Sequence, residues 1–390
     1  MRFRAVQAVL VGTSLAATHV SGTETFLLSD RCPPGFETTE ANLCQLRTLY
    51  DFYDSPPQHA GVRANLPPQR ALYSPQQMDL GRLLFFDPLL SGDRSLSCAS
   101  CHQPDKGFAD GRGKSLGARQ DDDRRLTLPR GAATLWNVSF LPRLMWDGRA
   151  ESLEEQAALP LFSDLEMANS PAQLEQDLRA SPVYMRLFRQ AFDAEPDTAN
   201  TARALAAFQS RLVSVNSRYD RYAHGDATAM SAKEISGYNV FRGFVARCSQ
   251  CHVPPLFTDG ELAVIGAPPS SSFEADRGAG ELSGDPFLTG AFRVPTLRNL
   301  ARTGPYFHAG QFQDLAAVVS FYNDTRGHAA PAGLDLKLHW HIHMTDGPKL
   351  SPRDEQDTVA FLGTLVDESF APEIPEHVPS GLPVKLEIEE

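Results

Sequence analysis

The chain has 390 residues, of which 42% are hydrophobic and 22% charged, and its formal net charge is −12. This length accommodates two domains, and the composition is that of an ordinary globular protein. The acidic balance, without a basic cluster, argues against nucleic acid as a partner. No apolar run reaches the roughly 18 to 20 residues that a bilayer-spanning helix needs.

The first stretch, residues 1–22, has the pattern of a secretory signal peptide. Arg2 and Arg4 precede a short apolar run, and small residues come after it. A buried first helix is the alternative interpretation. We therefore expect an exported protein located in the periplasm, where disulfides persist.

Residues 23–74 are rich in proline and turn-forming residues, and we expect an irregular extension on the surface of the rest of the protein. This extension contains Cys32 and Cys44, while the other four of the six cysteines belong to two CxxCH groups. We predict that Cys32 and Cys44 form a disulfide that staples the extension.

Capped amphipathic helices are predicted along the rest of the chain. Ser74 provides an N-cap and Pro75 a first-turn proline, and Ser152 with Glu155 forms a capping box for a helix that Pro160 ends. Further helices are expected in "SPAQLEQDLRAS", "SPVYMRLFRQAF", "TARALAAFQSRLVSV", "SAKEISGYNVFRGF" and "SPRDEQDTVAFLGTL". Because little of the chain alternates with period two, the predicted fold class is mainly α, with two similar halves that indicate an internal duplication.

Each half contains one CxxCH group, "CASCH" at 98–102 and "CSQCH" at 248–252. This spacing is the attachment signal for haem c, because two thiols one turn apart reach both vinyl groups and the histidine lies beneath the iron. A zinc site built from both pairs and a thioredoxin-like redox pair are the alternatives. The expected haem residues are Cys98, Cys101 and His102 in the first half and Cys248, Cys251 and His252 in the second.

Three long stretches resemble the bacterial di-haem cytochrome c peroxidases and their relative MauG. They are "LGRLLFFDPLLSGDRSLSCASCHQPDKGFADG", "LMWDGRAESLEEQAALPLFSDLEM" and "FRVPTLRNLARTGPYFHAGQFQDLAAVVSFYN". The resemblance implies two cytochrome c-like haem domains, assigned to residues 75–228 and 229–372, whose haems face an interface; residues 373–390 are assigned to a tail.

Within this family, the axial ligands of the haems separate the chemistries. Tyr322 stands where the peroxidases have a methionine and MauG has a tyrosine, so the resemblance implies that Tyr322 ligates the second iron. Phenolate is a hard, anionic donor that favours oxidised iron. A core tyrosine is the alternative, and Met344 could replace it as ligand only under a different alignment. The sequence has no histidine between Gln103 and Ser217, so the first iron is expected to keep an open position for peroxide, the alternative being closure by another ligand.

The resemblance also implies roles around the first haem and between the two. Glu166 matches the catalytic glutamate, whose buried carboxyl could carry a proton during peroxide cleavage. Gln156 and Pro160 match pocket residues. Trp146 matches a tryptophan between the haems, which could relay an electron hole or simply pack beside Arg149.

Two metal sites are weaker predictions. The carbonyls of Thr303 and Pro305 match calcium ligands of the family, but Gly131 stands where the family has an asparagine ligand, and hard oxygen donors are what Ca²⁺ requires. A histidine run could bind copper or zinc or form an exposed loop. That run consists of His339, His341 and His343.

Three functions are consistent with these expectations. The first is a MauG-like enzyme that uses H₂O₂ to form a high-valent di-haem state and oxidises a tryptophan or tyrosine of a secreted or periplasmic partner, with copper-binding proteins as one class of partner. The second is a peroxidase that takes electrons from a small cytochrome c or a cupredoxin. The third is a non-enzymatic di-haem electron carrier. A membrane span and a nucleic-acid partner are expected in none of them.

Overall fold

The computed structural model describes residues 26–54, 66–121, 124–269, 276–324, 337–339 and 349–388. The predicted signal peptide and His341, His343 and Met344 lie outside these ranges. Within them the chain is mainly helical. The α-helices, in chain order, are α1 Leu49–Tyr53, α2 Pro75–Phe85, α3 Cys98–Cys101, α4 Leu153–Leu161, α5 Pro171–Ala180, α6 Pro182–Phe192, α7 Thr198–Ser210, α8 Arg218–Ala223, α9 Ala232–Arg242, α10 Ala279–Ser283, α11 Leu315–Asp324 and α12 Pro352–Leu362.

The strands form three short antiparallel pairs. They are β1 Phe36–Thr38 with β2 Cys44–Leu46, β3 Leu116–Asp121 with β4 Arg124–Thr127, and β5 Leu262–Val264 with β6 Ala291–Arg293. None of the helices in the described part of the chain is both long enough and apolar enough to cross a membrane.

Most helices begin where the capping residues predicted them to begin. Ser74, Ser231 and Ser351 each accept a backbone N–H bond from the third residue of the helix, and each closes a full capping box. Helix α4 differs: the Ser152 hydroxyl accepts from the N–H of Glu155 at 3.0 Å, but the Glu155 carboxylate accepts from another backbone N–H, that of residue 151.

Helix α4 also extends one residue beyond its predicted end. Pro160 lies inside the last turn, and the helix ends at Leu161. The "TARALAAFQSRLVSV" helix is likewise shifted, since α7 begins at Thr198 after its cap Asp197 and ends at Ser210.

Each half of the molecule is built on one tightly crossed helix pair. Helix α2 packs on α7 in the first half, and α9 packs on α12 in the second. Gly81 in α2 faces the carbonyl oxygen of Ala204, and Gly237 in α9 faces that of Asp357, so closely that a Cβ at either glycine would overlap the oxygen. Glycine is therefore required at both crossings, because only it lets the two backbones approach this far.

One segment of each half repeats the same hydrogen bonds as its counterpart. Asn137 and Asn299 both have positive φ, and their backbone N–H groups donate to the carbonyls of Leu212 at 2.8 Å and Leu365 at 3.0 Å. A threonine three residues before each asparagine bonds a backbone carbonyl near the CxxCH group of its own half. The threonine hydroxyl bonds are Thr134 to Gly107 at 2.7 Å and Thr296 to Leu256 at 2.6 Å.

The N-terminal extension is more regular than its composition predicted. Strands β1 and β2 form a hairpin in register from Phe36 opposite Leu46 to Thr38 opposite Cys44, and α1 comes after it. The expected disulfide between Cys32 and Cys44 is present and ties the hairpin to the segment before it. The strands were not predicted because they are only three residues long, which is too short to show alternation within a proline-rich stretch.

The C-terminal tail packs on the first half of the molecule. Val378 is 1% exposed and lies in the hydrophobic core of that half. The Ser380 hydroxyl donates to the carboxylate of Asp87 at 2.6 Å. The Lys385 carbonyl accepts from the hydroxyls of Ser97 and Ser100, which lie on either side of Cys98 in the chain. The last part of the chain thus braces α3.

Candidate haem sites

Two cavities lie where the two CxxCH groups are. The first has a volume of about 710 Å³ and the second about 250 Å³. Their walls contain all the haem residues expected from the sequence. The first cavity is lined by Cys98, Cys101 and His102, and the second by Cys248, Cys251 and His252.

The two histidines are held in the same way. The Nδ1 of His102 lies 2.9 Å from the carbonyl oxygen of Phe108, and that of His252 lies 3.1 Å from the carbonyl of Phe257. Both phenylalanines have positive φ, 58° and 55°, which turns their carbonyls towards the rings. Burial lowers the pKa of both histidines, so the rings are neutral. Since Nδ1–H donates to the carbonyl, Nε2 is left free for an iron.

The raised pKa values of the thiols favour neither a redox pair nor a zinc site. Burial raises the pKa of Cys98 and of Cys248 to about 12, and that of Cys251 to about 11. A redox or zinc-binding CxxC needs an accessible thiolate, which such burial disfavours. No group of three or more His, Cys, Asp or Glu that could hold a metal ion occurs among the residues described. Two thiols and one oriented imidazole per cavity fit covalent haem better.

The expected pocket residues also belong to the wall of the first cavity. Gln156, Pro160 and Glu166 all line it. The Gln156 Oε1 is buried and has no hydrogen-bond partner in the described structure, which indicates space for a polar ligand. Burial raises the pKa of Glu166, and the charge of Arg149 opposes this shift.

Helices α4 and α11 occupy equivalent places in the two halves. Helix α4 packs on α7 and α11 packs on α12, and each comes after the repeated threonine–asparagine segment. Pro160 and Tyr322 stand at the same position along these two helices. Tyr322 lines the second cavity, close enough to Cys248 and Cys251 for their charges to add to the burial that raises its pKa. The second cavity thus has the phenol of Tyr322 at the position where the first cavity has the ring of Pro160, which carries no hydrogen-bond donor or acceptor.

Trp146 lies in the wall between the cavities and lines both. Its indole N–H donates to the carbonyl of Gly131 at 2.9 Å, and its own carbonyl accepts from the N–H of Arg293 at 2.7 Å. The carbonyl of His308 accepts from the N–H of Gly131 at 2.8 Å. The bonds from Arg293 to Trp146 and from Gly131 to His308 join the two halves directly at the wall.

Several charged residues of this wall were not predicted from the sequence. Arg130 bonds the carboxylates of Asp147 at 2.6 Å and Asp276 at 2.7 Å. His308 stacks on Phe292, with ring centroids 3.9 Å apart, and burial lowers its pKa to about 4.

The two metal predictions stay predictions. Thr303 and Pro305 line the second cavity. Gly131 brings no side-chain oxygen, and its carbonyl already accepts the Trp146 indole N–H, so it is a poorer calcium ligand than asparagine. Of the three histidines in the run, the structure describes only His339. Its backbone N–H donates to the carbonyl of Val264 at 2.8 Å.

Comparison with known proteins shows extended similarity. Residues 75–228 match the sequence profile of the di-haem cytochrome c peroxidases. The chain is 33% identical to the methylamine utilization protein MauG of Methylorubrum extorquens, over 94% of this chain and 95% of that protein. It is 34% identical to a cytochrome c551 peroxidase of Nitrosomonas europaea, over 83% of this chain and 91% of that one.

A solved structure shares the fold. It is the crystal structure of a MauG-like protein associated with microbial copper homeostasis, with a TM-score of 0.70 and 30% sequence identity. The match covers 82% of this chain and 99% of that one.

Proposed function

Since this chain belongs to the family of di-haem cytochrome c peroxidases and MauG, we propose that it uses H₂O₂ to oxidise an aromatic side chain of a partner protein. Membership makes it a haem-dependent oxidoreductase and implies two covalently bound haem c groups. The family contains both MauG and peroxidases that take electrons from other proteins. The choice between these chemistries rests on the residues of this chain.

The observation that carries the proposal is the pairing of Pro160 with Tyr322. If Tyr322 ligates the second iron, the equivalent place in the first cavity holds a proline, which has no side-chain donor atom. The first cavity would then stay open to a small oxidant while the second is closed by a hard anionic ligand. This division favours storage of oxidising equivalents over entry of electrons.

The two CxxC pairs would hold the haems covalently, and the imidazoles of His102 and His252 would serve as iron ligands. Bound in this way, the haems supply peroxide binding and oxidation chemistry. The protein supplies the surroundings: imidazoles fixed by the carbonyls of Phe108 and Phe257, and cavities lined mainly by apolar side chains.

Peroxide cleavage requires a proton to move from one oxygen to the other. Glu166 lines the first cavity, and burial raises its pKa above the ordinary value of a glutamate, so its carboxyl is suited to accept and return a proton. Gln156 has an unused buried amide oxygen in the same cavity and would orient the oxidant. Both roles need only side chains that this cavity already presents.

Trp146 would conduct oxidising equivalents between the cavities because it lines both of them. Its indole N–H is fixed by the Gly131 carbonyl at 2.9 Å, which keeps the ring in one orientation in the wall. The final electron donor would be a tryptophan or tyrosine of a secreted partner. A MauG-like protein similar to this chain is associated with copper homeostasis, so we propose a copper-binding periplasmic protein as that partner.

A second candidate function is peroxide removal with electrons from a small cytochrome c or a cupredoxin. Its support is the 34% identity to a cytochrome c551 peroxidase. The two functions differ in where the electrons originate, from a residue of the partner that is permanently changed or from a reduced metal centre that cycles.

The test combines both electron sources with one enzyme preparation. The holoenzyme and H₂O₂ are incubated with exported copper-binding proteins encoded near this gene, and the products are examined by mass spectrometry. We expect a mass change confined to tryptophan or tyrosine, and its loss in the Tyr322→Met variant. Steady turnover with reduced cytochrome c and no mass change in any partner would contradict the proposal and favour the second function.

A further inference from the structure

Arg293 occupies a special position in the wall between the cavities. It is the last residue of β6, it is 5% exposed, and it lines both cavities. Its backbone N–H donates to the carbonyl of Trp146 at 2.7 Å. A single guanidinium is therefore within reach of both sites.

The charge of Arg293 has no carboxylate partner in the described part of the chain. Its Nε donates to the carbonyl of Met145 at 3.2 Å, and its Nη1 makes a long contact of 3.5 Å with the carbonyl of Val294. Burial is the one cause that lowers its pKa, to about 10, and no anion offsets it. The guanidinium has five N–H donors, so most of them are unused.

The neighbouring arginine of the same wall shows the contrast. Arg130 is bonded to the carboxylates of Asp147 and Asp276, and together these raise its pKa against the effect of burial. Burying an unpaired cation costs several kcal/mol. Arg293, by contrast, lines both cavities, so its guanidinium can accept an anion that arrives with a bound ligand.

Haem supplies such an anion, because each porphyrin carries two propionate carboxylates. We propose that Arg293 is the counter-cation of a haem propionate at the wall between the two cavities. The proposal requires bound haem, and it is independent of which electron donor the enzyme uses. Arg293 acts on the iron through the propionate, so it is a positioning and tuning residue.

The consequence is a change in reduction potential. A fixed positive charge close to a haem stabilises Fe(II) relative to Fe(III), and neutralising a propionate has the same sign. Replacing Arg293 by a neutral residue is therefore expected to lower the potential of the haem whose propionate it holds. We expect at least a tenfold shift of the Fe(III)/Fe(II) ratio, which is about 59 mV for one electron.

The test is a redox titration of the holoprotein monitored by absorbance, with three variants. Arg293→Gln is expected to lower the potential of one haem by that amount, and Arg293→Lys to restore most of it. Arg211→Gln is the matched control: Arg211 is half-buried, its pKa is also lowered to about 10 by desolvation, but it lines neither cavity. It should leave both potentials unchanged. Unchanged potentials in Arg293→Gln, with two haems bound, would overturn the proposal.

A second readout covers the case in which Arg293→Gln binds fewer than two haems. Resonance Raman spectra of Arg293→Lys would then decide, because the propionate bending band reports the hydrogen bonds made to the carboxylate. We expect this band to shift from its wild-type position, since lysine cannot reproduce the guanidinium fork. An unshifted band together with wild-type potentials would overturn the assignment.

Discussion

Glu166→Gln isolates the proton-transfer role of the first cavity. The substitution keeps the size of the side chain and its ability to hydrogen bond, but removes the group that can accept a proton. It should not disturb the backbone at this position. The N–H of residue 166 donates to the carbonyl of Ser163 at 3.1 Å, and its carbonyl accepts from the N–H of Ala118 at 2.6 Å. Any loss of rate then reflects the carboxyl itself.

The expected magnitude comes from general acid–base catalysis. A positioned acid or base contributes about 10²- to 10⁴-fold, which corresponds to roughly 2.7 to 5.5 kcal/mol of transition-state stabilisation. Glu166 lines the first cavity and burial raises its pKa, so we expect the loss of rate to fall within this range. The assay is stopped-flow absorbance of the holoenzyme after mixing with H₂O₂.

The pH profile gives the sign of the effect. The active form is the carboxylate, which accepts the proton, so the rate should fall as the pH drops through the pKa of Glu166. Because burial raises that pKa, the acid limb should lie above the ordinary range for glutamate. In Glu166→Gln this limb should vanish.

The matched control is Asp164→Asn, which removes the same charge from an exposed side chain two residues away. It should leave the rate within about threefold of wild type, since surface charges contribute little. A Glu166→Gln enzyme with both haems bound and a rate within threefold of wild type would refute the assigned role.

Three further results are expected. Gly237→Ala should lower the free energy of unfolding by about 1 to 3 kcal/mol in urea titrations, because the new Cβ would overlap the Asp357 carbonyl. Gly363→Ala is the control, since a Cβ there meets nothing within 4 Å, and it should leave the free energy of unfolding unchanged. Equal effects of the two substitutions would contradict the close helix crossing. Removing residues 377–390 should lower the Tm, since the fully buried Val378 alone contributes about 1.5 to 3 kcal/mol; an unchanged Tm would show that the tail does not brace the first half. Tyr322→Phe should change the spectrum of one haem and leave its attachment intact, as counted by mass; a spectrum identical to wild type would remove Tyr322 from the ligand set.

Local features of this fold were predictable from the sequence. The starts of α2, α9 and α12 depend on a serine and the residue three positions later, and both partners are visible in the sequence. The pairing of Cys32 with Cys44 was equally local. The CxxCH groups predicted which thiols and imidazoles share a cavity because haem attachment fixes their spacing.

Features that join distant residues were not predictable. The bond between Ser380 and Asp87 spans 293 positions, and no pattern in the tail indicates it. No sequence pattern singles out Arg293. Its importance comes from having no carboxylate partner among the residues that the structure describes, which is a property of the fold. The hairpin in the extension was missed because strands of three residues are too short to show alternation.

The equivalence of Pro160 and Tyr322 was only partly predictable from the sequence. Each residue was singled out by resemblance, but their shared position becomes visible when α4 and α11 are compared in the structure. The sequence hides this pair because the two helices match in place while few of their residues match in type.

Electron paramagnetic resonance of the ferric holoprotein tests the central claim most directly, because it counts spin states haem by haem. A vacant first site and a phenolate-bound second site predict one high-spin signal and one low-spin signal, with only the low-spin signal altered in Tyr322→Phe. Two low-spin signals in the wild type, or a low-spin signal that Tyr322→Phe leaves untouched, would contradict the assignment.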